Sequence, residues 1–370
     1  MAKQLNLLIQ FGNKGEGITL HRMTPFSKVD RVGTVMVVSR RPGPPIPKVE
    51  YHCPPRFAAR NSVVAVVAES IMLLYLSITR KPDYILAYLL FPHGLIGYLA
   101  AKMTRRRFIP SLIAGRIEIE MPFRGFFQKR NELLSRFFVH MLKDSFAVTT
   151  TGTVTKAFLT ERGVEASKIH PIINPPDLSR AKHADLPKVY DVLTVVRLSP
   201  VKNLETFIQA VAVVRASFKD LKVCIVGDGP LRENLMKLAD ELNVRECIDF
   251  VGYQKDVARF FNSAKVFVHT SRREGFPNVF LEAMACRLPC VVSNCGDIMD
   301  LAEDGTNSLV VQNPDDAAGF AKAIESLLAD GELREHLSKG ASETIRHLTV
   351  DKIVAEWESI LDKPVGRDRR

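Results

Sequence analysis

The chain is predicted to be an α/β protein of two Rossmann-like domains, each a parallel sheet with helices between its strands. Three observations predict this. A length of 370 residues suits two domains. Apolar, β-rich runs alternate with helical patterns from end to end. Near the middle, NPPDLSRAKHADLPK (Asn174–Lys188) is polar, carries three prolines and has no periodicity, so it reads as a linker. The expected domains are therefore residues 1–185 and 186–345.

In the first half, Leu5–Gln10 is a short strand ending in FGNKGEG. Gly12, Gly15 and Gly17 suit either a flexible turn or a backbone that closely approaches a phosphate. Val32–Ser39 is a second strand, and the proline-rich stretch Arg40–Arg56 reads as a long loop. Asn61–Thr79 has a helical pattern and Tyr84–Phe91 is a strand. His93 follows at that strand's C-terminal end, where open α/β sheets place their ligands. Phe108–Ala114 is the next strand. In Arg116–Lys143, Leu133, Leu134, Phe137, Phe138, Met141 and Leu142 recur at helical spacing, as expected of a helix packed on a sheet. Just before it, Phe123–Phe127 with Arg124 and Lys129 fits contact with an anionic membrane better. Phe146–Thr150, a helix from Thr153 to about Arg162, and Ile169–Ile173 close the half.

Charge divides unevenly along the chain. Residues 1–185 carry 27 Lys+Arg against 13 Asp+Glu, a net +14, while residues 186–370 carry 24 against 28, a net −4. Such a basic half suits an anionic partner or serves solubility, and both readings stand. No segment resembles a nucleic-acid reading motif, so no nucleic-acid partner is expected. No uncharged apolar run is long enough to span a bilayer, and MAKQLNLLIQFG has too short an apolar run for a signal peptide. A cytoplasmic location is expected, with room for peripheral attachment to the inner face of the cytoplasmic membrane. The six cysteines sit in or beside apolar segments and read as small hydrophobes; no metal and no cofactor is expected.

The second half is a βαβ series. Val189–Val196 is a strand, and Arg197 and Lys202 lie on the loop to a helix beginning near Asn203. Two cations at the C-terminal edge of a parallel sheet suit a diphosphate, Arg as a fork and Lys as a point charge. Lys222–Val226 is followed by GDGPLRENL, which opens at Gly227 and carries Arg232 where a dinucleotide fingerprint would have its third glycine. Asp249–Val251 ends in Gly252 and Tyr253, and Val266–His269 leads into SRREGFPNVFLEAMACRLPCVVSNCG. There Glu274, Gly275 and Phe276 form a turn, and Pro277 suits the first position of a helix that runs to Cys286 through Asn278, Val279 and Glu282. Free N–H groups at that helix start make a seat for a phosphate. Two carboxylates, Glu274 at the mouth and Glu282 deeper, are spaced to hold different parts of one ligand. Helices from about Asp315 to Leu361 end the chain.

EGFPNVFLE resembles the Glu-x7-Glu motif of the retaining glycosyltransferases of family 4, and AMACRLPCVVS resembles the run that follows it, with Arg287 where glycine is usual. RLSPVKN resembles a second family motif, with Val196 in a glycine position, and DGTNSLVV carries Ser308 in another. The resemblance is strong over residues 186–345 and covers the first half only in its pattern of elements. It implies the GT-B fold: two Rossmann-like domains facing across a cleft, with the C-terminal helix crossing back so that about 346–370 completes the first. It further implies transfer of a sugar from a nucleoside-diphosphate sugar, a UDP-sugar by family frequency, with retention and without metal. Arg197 and Lys202 would bind the pyrophosphate, and Gly252 and Tyr253 would lie near the base. Glu282 would hold the ribose, Glu274 would position the sugar, and His93 would contact the sugar or acceptor. The acceptor is expected to be a lipid-linked or membrane-presented glycan. A non-catalytic scaffold or a nucleotide-sugar epimerase of the same fold are the alternatives.

Overall fold

A computed structural model of the chain describes residues 4–12, 16–55, 58, 62–120, 128–173, 178 and 181–362. It separates into two units, Met1–Asn174 with Thr349–Arg370, and Pro175–Leu348.

In the first unit the elements are β1 (Leu5–Gln10), α1 (Glu16–Lys28), β2 (Val32–Val38), β3 (Val49–His52), α2 (Ser62–Thr79), β4 (Tyr84–Tyr88), α3 (Leu95–Thr104), β5 (Arg107–Ser111), α4 (Ile117–Glu120), α5 (Gln128–Asp144), β6 (Val148–Thr150), α6 (Thr153–Glu161) and β7 (Ile169–Pro171). The sheet is parallel, in the order β3-β2-β1-β4-β5-β6-β7. Alternation along β1 explains its two buried faces: Leu5, Leu7 and Ile9 enter one core cluster and Leu8 enters the other. Leu73 and Leu76 of α2, Ala100 and Ala101 of α3, and Phe138, Met141 and Leu142 of α5 pack in the Leu8 cluster.

The second unit contains β8 (Tyr190–Val195), α7 (Leu204–Ser217), β9 (Val223–Val226), α8 (Arg232–Glu241), β10 (Ile248–Gly252), α9 (Ala258–Asn262), β11 (Ala264–His269), α10 (Asn278–Ala285), β12 (Cys290–Ser293), β13 (Ser308–Val311), α11 (Ala317–Ala329) and α12 (Gly331–Arg346). Its parallel sheet runs β10-β9-β8-β11-β12-β13. In both sheets the order reverses direction beside the first strand, between β1 and β4 and between β8 and β11. Such a switch point leaves a crevice at the carboxyl ends of the strands.

The last helix, α13 (Val350–Leu361), belongs to the first unit. Its Trp357 is buried with the ring centroid 4.5 Å from that of Phe26 on α1. Burying the Phe26 ring alone contributes roughly 1.5–3 kcal/mol, which ties the chain's end to its beginning.

Several expectations are corrected. The second unit starts at Pro175 rather than 186, because the end of the expected linker packs on it. Ala181 is buried in that unit's core, and Asn262 Oδ1 accepts from Ala184 N at 2.8 Å. The proline-rich stretch read as a loop contains β3, an edge strand paired with β2. Helix α1 had no expected counterpart, since Pro25 and the threonines around it blur its periodicity. The strand expected to reach Phe91 stops at Tyr88, where Leu89 turns with φ 70. Helix α2, expected from the helical pattern of Asn61–Thr79, buries only its inner side; Ile71 is 65% exposed. Leu133 and Phe137 of α5 likewise face outward. Phe123–Phe127 lie outside the described residues, as does the Lys129 side chain. All six cysteines are free, four of them buried.

Candidate active site

At the switch point of the second sheet, the loop after β8 and the loop after β11 lock together. Thr270 Oγ1 donates to the carbonyls of Lys202 and Asn203 at 3.1 and 3.0 Å, and Arg272 N donates to Val201 O at 2.9 Å. Asn203 turns the chain with φ 54, and its Nδ2 is anchored on Pro314 O at 2.6 Å. The consequence is a fixed meeting of charges. Lys202 Nζ donates to Glu274 Oε1, and His269 Nε2 lies 3.3 Å from the same oxygen.

Electrostatics follow from burial. Desolvation would push the Glu274 carboxyl up, but the His269 ring and the Lys202 ammonium outweigh it and hold it down at about 2. His269 is fully buried at the end of β11, and burial lowers its ring below the usual histidine value against the pull of Glu274. Glu282, on the same helix side of the motif, is different: burial alone pushes its carboxyl up to about 7. Two carboxylates of one motif thus have opposite tendencies, one held ionised and one close to taking up a proton.

The Glu274–Pro277 turn is shaped by glycine. Gly296 follows β12 with φ 64, and a Cβ there would collide with the Glu274 carbonyl; Asp297 N donates to Gly275 O at 3.0 Å beside it. Pro277 is the N-cap residue, one position earlier than expected, and α10 begins at Asn278. No side chain caps this helix, so its first N–H groups and the positive end of its dipole are available to an anion. Phe280, Leu281 and Met284 bury the helix's inner face and fix its direction.

The other expected donor-binding residues line the same strand edge. Arg197 is exposed on the loop after β8. Gly227 (φ 132) passes so close to the Val196 carbonyl that no Cβ fits, and its N–H donates to Gly252 O at 2.8 Å. Gly252 (φ 75) ends β10, two strands from β8, and Tyr253 beyond it is 75% exposed. Among the described residues no group of three or more His, Cys, Asp or Glu side chains is arranged to hold a metal ion.

In the first unit, His93 is buried at the corresponding switch point, with Nδ1 3.3 Å from Gln10 Nε2. Its Nε2 would meet a Cβ on Gly12 at 2.6 Å, so Gly12 is the glycine that this loop requires for space. Gly17 is not: it lies within α1, exposed, with open space around it. Gly15 lies outside the described residues.

Sequence reasoning missed His269, which reads as the end of an apolar strand; its place five residues before Glu274 was the available signal. It also missed Glu118, a half-buried carboxylate that accepts from the N–H groups of Leu90, Ile113 and Ala114 at 2.7 Å each. Burial raises that carboxyl to about 7 against those three donors and Arg22. The Arg22 guanidinium itself lies 4.9 Å over the Tyr88 ring.

Residues 177–344 match the family of glycosyl transferases group 1. Among curated proteins, the lipopolysaccharide core biosynthesis glycosyltransferase LpsE of Rhizobium meliloti is 36% identical over 154 residues, 42% of this chain and 44% of that protein. A Campylobacter jejuni GalNAc-alpha-(1->4)-GalNAc-alpha-(1->3)-diNAcBac-PP-undecaprenol alpha-1,4-N-acetyl-D-galactosaminyltransferase is 29% identical over 221 residues, 58% of this chain and 59% of that one. The chain thus spans about half the length of these curated relatives. Among solved structures, Anabaena HepE in complex with UDP and glucose superposes with a TM-score of 0.75 at 20% identity, covering 98% of this chain and 100% of that one. That likeness is one of fold alone, the GT-B fold.

Proposed function

We propose that this chain, whose residues 177–344 match the glycosyl transferases group 1, is a retaining glycosyltransferase. It would move a sugar from a nucleoside-diphosphate sugar, a UDP-sugar before others, to a hydroxyl of a lipid-linked or membrane-presented glycan in envelope polysaccharide synthesis. The observation that carries the reading is the convergence of Lys202, His269 and Glu274 at the switch point of the second sheet, beside the uncapped start of α10.

In this reaction the bond from the anomeric carbon to the diphosphate oxygen breaks as the acceptor oxygen bonds to that carbon on the same face. The acceptor proton passes to a diphosphate oxygen. Negative charge grows on the leaving diphosphate, and Arg197, Lys202 and the N–H groups of Asn278 and Val279 stabilise it, without metal. Preorganised charge of this kind is often the largest catalytic contribution. A lysine ammonium has three donors, so Lys202 can keep Glu274 while serving a phosphate oxygen. Glu274, ionised across the physiological range, offsets the positive charge that develops on the sugar. Glu282 takes the ribose hydroxyls. The UDP and glucose bound in the HepE complex, and the undecaprenol-linked acceptor in the name of the Campylobacter relative, support the donor and acceptor classes.

The test is proton NMR of the chain incubated with a panel of UDP-, GDP- and ADP-hexoses. Slow release of one nucleoside diphosphate, with the freed sugar appearing first in the donor's anomeric configuration, is the expected result. The opposite anomer first would contradict retention, and no release from any donor would favour a scaffold.

A further inference from the structure

Among the described residues of the first unit, an apolar helical face is left without cover. On α2, Leu73 and Leu76 pack on the sheet, and the helix's one charged residue, Glu69, also points inward, buried and paired with Arg40 Nε at 3.1 Å. Val67, Ile71, Tyr75 and Ile78 recur at three- and four-residue spacing on the outer side, with Tyr75 63% exposed. Helix α3 packs beside α2 and adds Leu99 and Met103, the latter 70% exposed. Ten of the seventeen exposed large apolar side chains among the described residues lie on α2, α3 and α5, which share one side of the sheet. An amphipathic helix in water carries polar residues on that side; a face this apolar marks an interaction surface.

Its border carries the other half of the argument. Helices α2 and α3 lead into β4 and β5, whose first residues, Tyr84 and Arg107, are register partners. The two helix ends therefore lie at one edge, and Arg80 and Lys81 after α2 and Arg105 after α3 are all exposed there. We infer that this face docks on an anionic phospholipid bilayer, with the α2–α3 apolar side chains entering the headgroup–acyl boundary and Arg80, Lys81 and Arg105 meeting lipid phosphates. Tyr75 suits that depth, where amphipathic rings gather. Among the described residues no helix is long and apolar enough to cross a membrane, and α2 is held on the sheet by its inner side, so it lies along the surface. A second copy of the chain fits less well: it would bring the same cations and no outward carboxylate on α2 to meet them. The inference stands independently of the transfer reaction.

The test is flotation of the full chain with vesicles of phosphatidylglycerol and phosphatidylcholine, and with phosphatidylcholine alone. The wild type is expected to float with the anionic vesicles at low salt. Ile71→Glu/Ile78→Glu should weaken this by about tenfold or more, and Arg80→Glu/Lys81→Glu/Arg105→Glu by roughly a hundredfold. All of these positions are exposed, and an unchanged melting temperature verifies folding; Ile71→Ser/Ile78→Ser replaces the Glu pair if it fails to fold. No flotation, or flotation that the apolar pair leaves unchanged, would overturn the inference. So would a wild-type dimer that the apolar pair converts to monomer without vesicle binding. Thermal shifts with nucleoside diphosphates should be the same in all these variants, so failure here is distinguishable from failure of the transfer reading.

Discussion

Lys202 Nζ and His269 Nε2 both face one oxygen of Glu274, Oε1, the histidine at 3.3 Å. A carboxylate held this way is ionised far below the usual range, at about 2, despite its burial. The folded value lies below the unfolded one, so the stabilisation is fully present above about pH 4.5 and is lost as pH falls towards 2. Glu274→Gln should therefore cost on the order of 3 kcal/mol at neutral pH, and the gap should close in acid. Urea unfolding of both proteins between about pH 7 and 2.5 measures it. A gap independent of pH would show that the ion pair is not what Glu274 contributes.

Glu282 should behave in the opposite sense. Its carboxyl is raised to about 7 by burial, so ionisation opposes folding above that pH and is relieved as pH falls towards the unfolded value. Glu282→Gln should stabilise the ligand-free chain by roughly 1–3 kcal/mol at pH 8 and by almost nothing near pH 4. The same denaturation series reads this. On the proposed reading, in which this carboxylate takes the ribose hydroxyls, the variant should also weaken nucleoside binding.

Arg287 occupies a position where the family resemblance has glycine, and its φ of 58 explains that preference. A side chain in the left-handed region costs about 1 kcal/mol or more. Arg287→Gly should accordingly raise stability by about 0.5–1 kcal/mol after the added entropy of the unfolded chain. Calorimetry would show a higher melting temperature; a lower one would mean the exposed arginine makes contacts worth more than its strain.

Legibility in the sequence tracked where each signal lies. In the second unit, strands such as Cys290–Ser293 are apolar throughout because both faces are buried, and the charged loops between them stand out. Lys202, Glu274 and the start of α10 were readable for that reason. His269 was not, because it reads as the close of an apolar strand, and only its place five residues before Glu274 pointed to what it faces across the turn. Gly296 was equally silent, since its closeness to Glu274 arises from packing between loops more than twenty residues apart. In the first unit, Pro25 hid α1 and a proline-rich frame hid the edge strand β3. The uncovered face of α2 was invisible because an apolar helix has the same sequence whether one side or both are buried.

Gly12 and His93 form a second pair that a double-mutant cycle can test. A Cβ on Gly12 would come 2.6 Å from His93 Nε2. Gly12→Ala should destabilise the chain by about 1–3 kcal/mol, and most of that cost should vanish in a His93→Ala background. Urea midpoints of the four proteins give the coupling. Additive costs would mean that the two residues do not share the space.

The central claim is that the loops after β8 and β11 bind a nucleoside diphosphate. The most direct measurement is a thermal-shift panel of UDP, GDP and ADP on the wild type and on Arg197→Ala/Lys202→Ala. A ligand that binds only the folded state at about a hundred times its Kd adds roughly 2.7 kcal/mol of stability. One diphosphate, UDP on the present account, should raise the melting temperature by several degrees, and the double variant should lose that rise. No shift with any of the three in a folded sample, or a shift that survives the double substitution, would contradict the account.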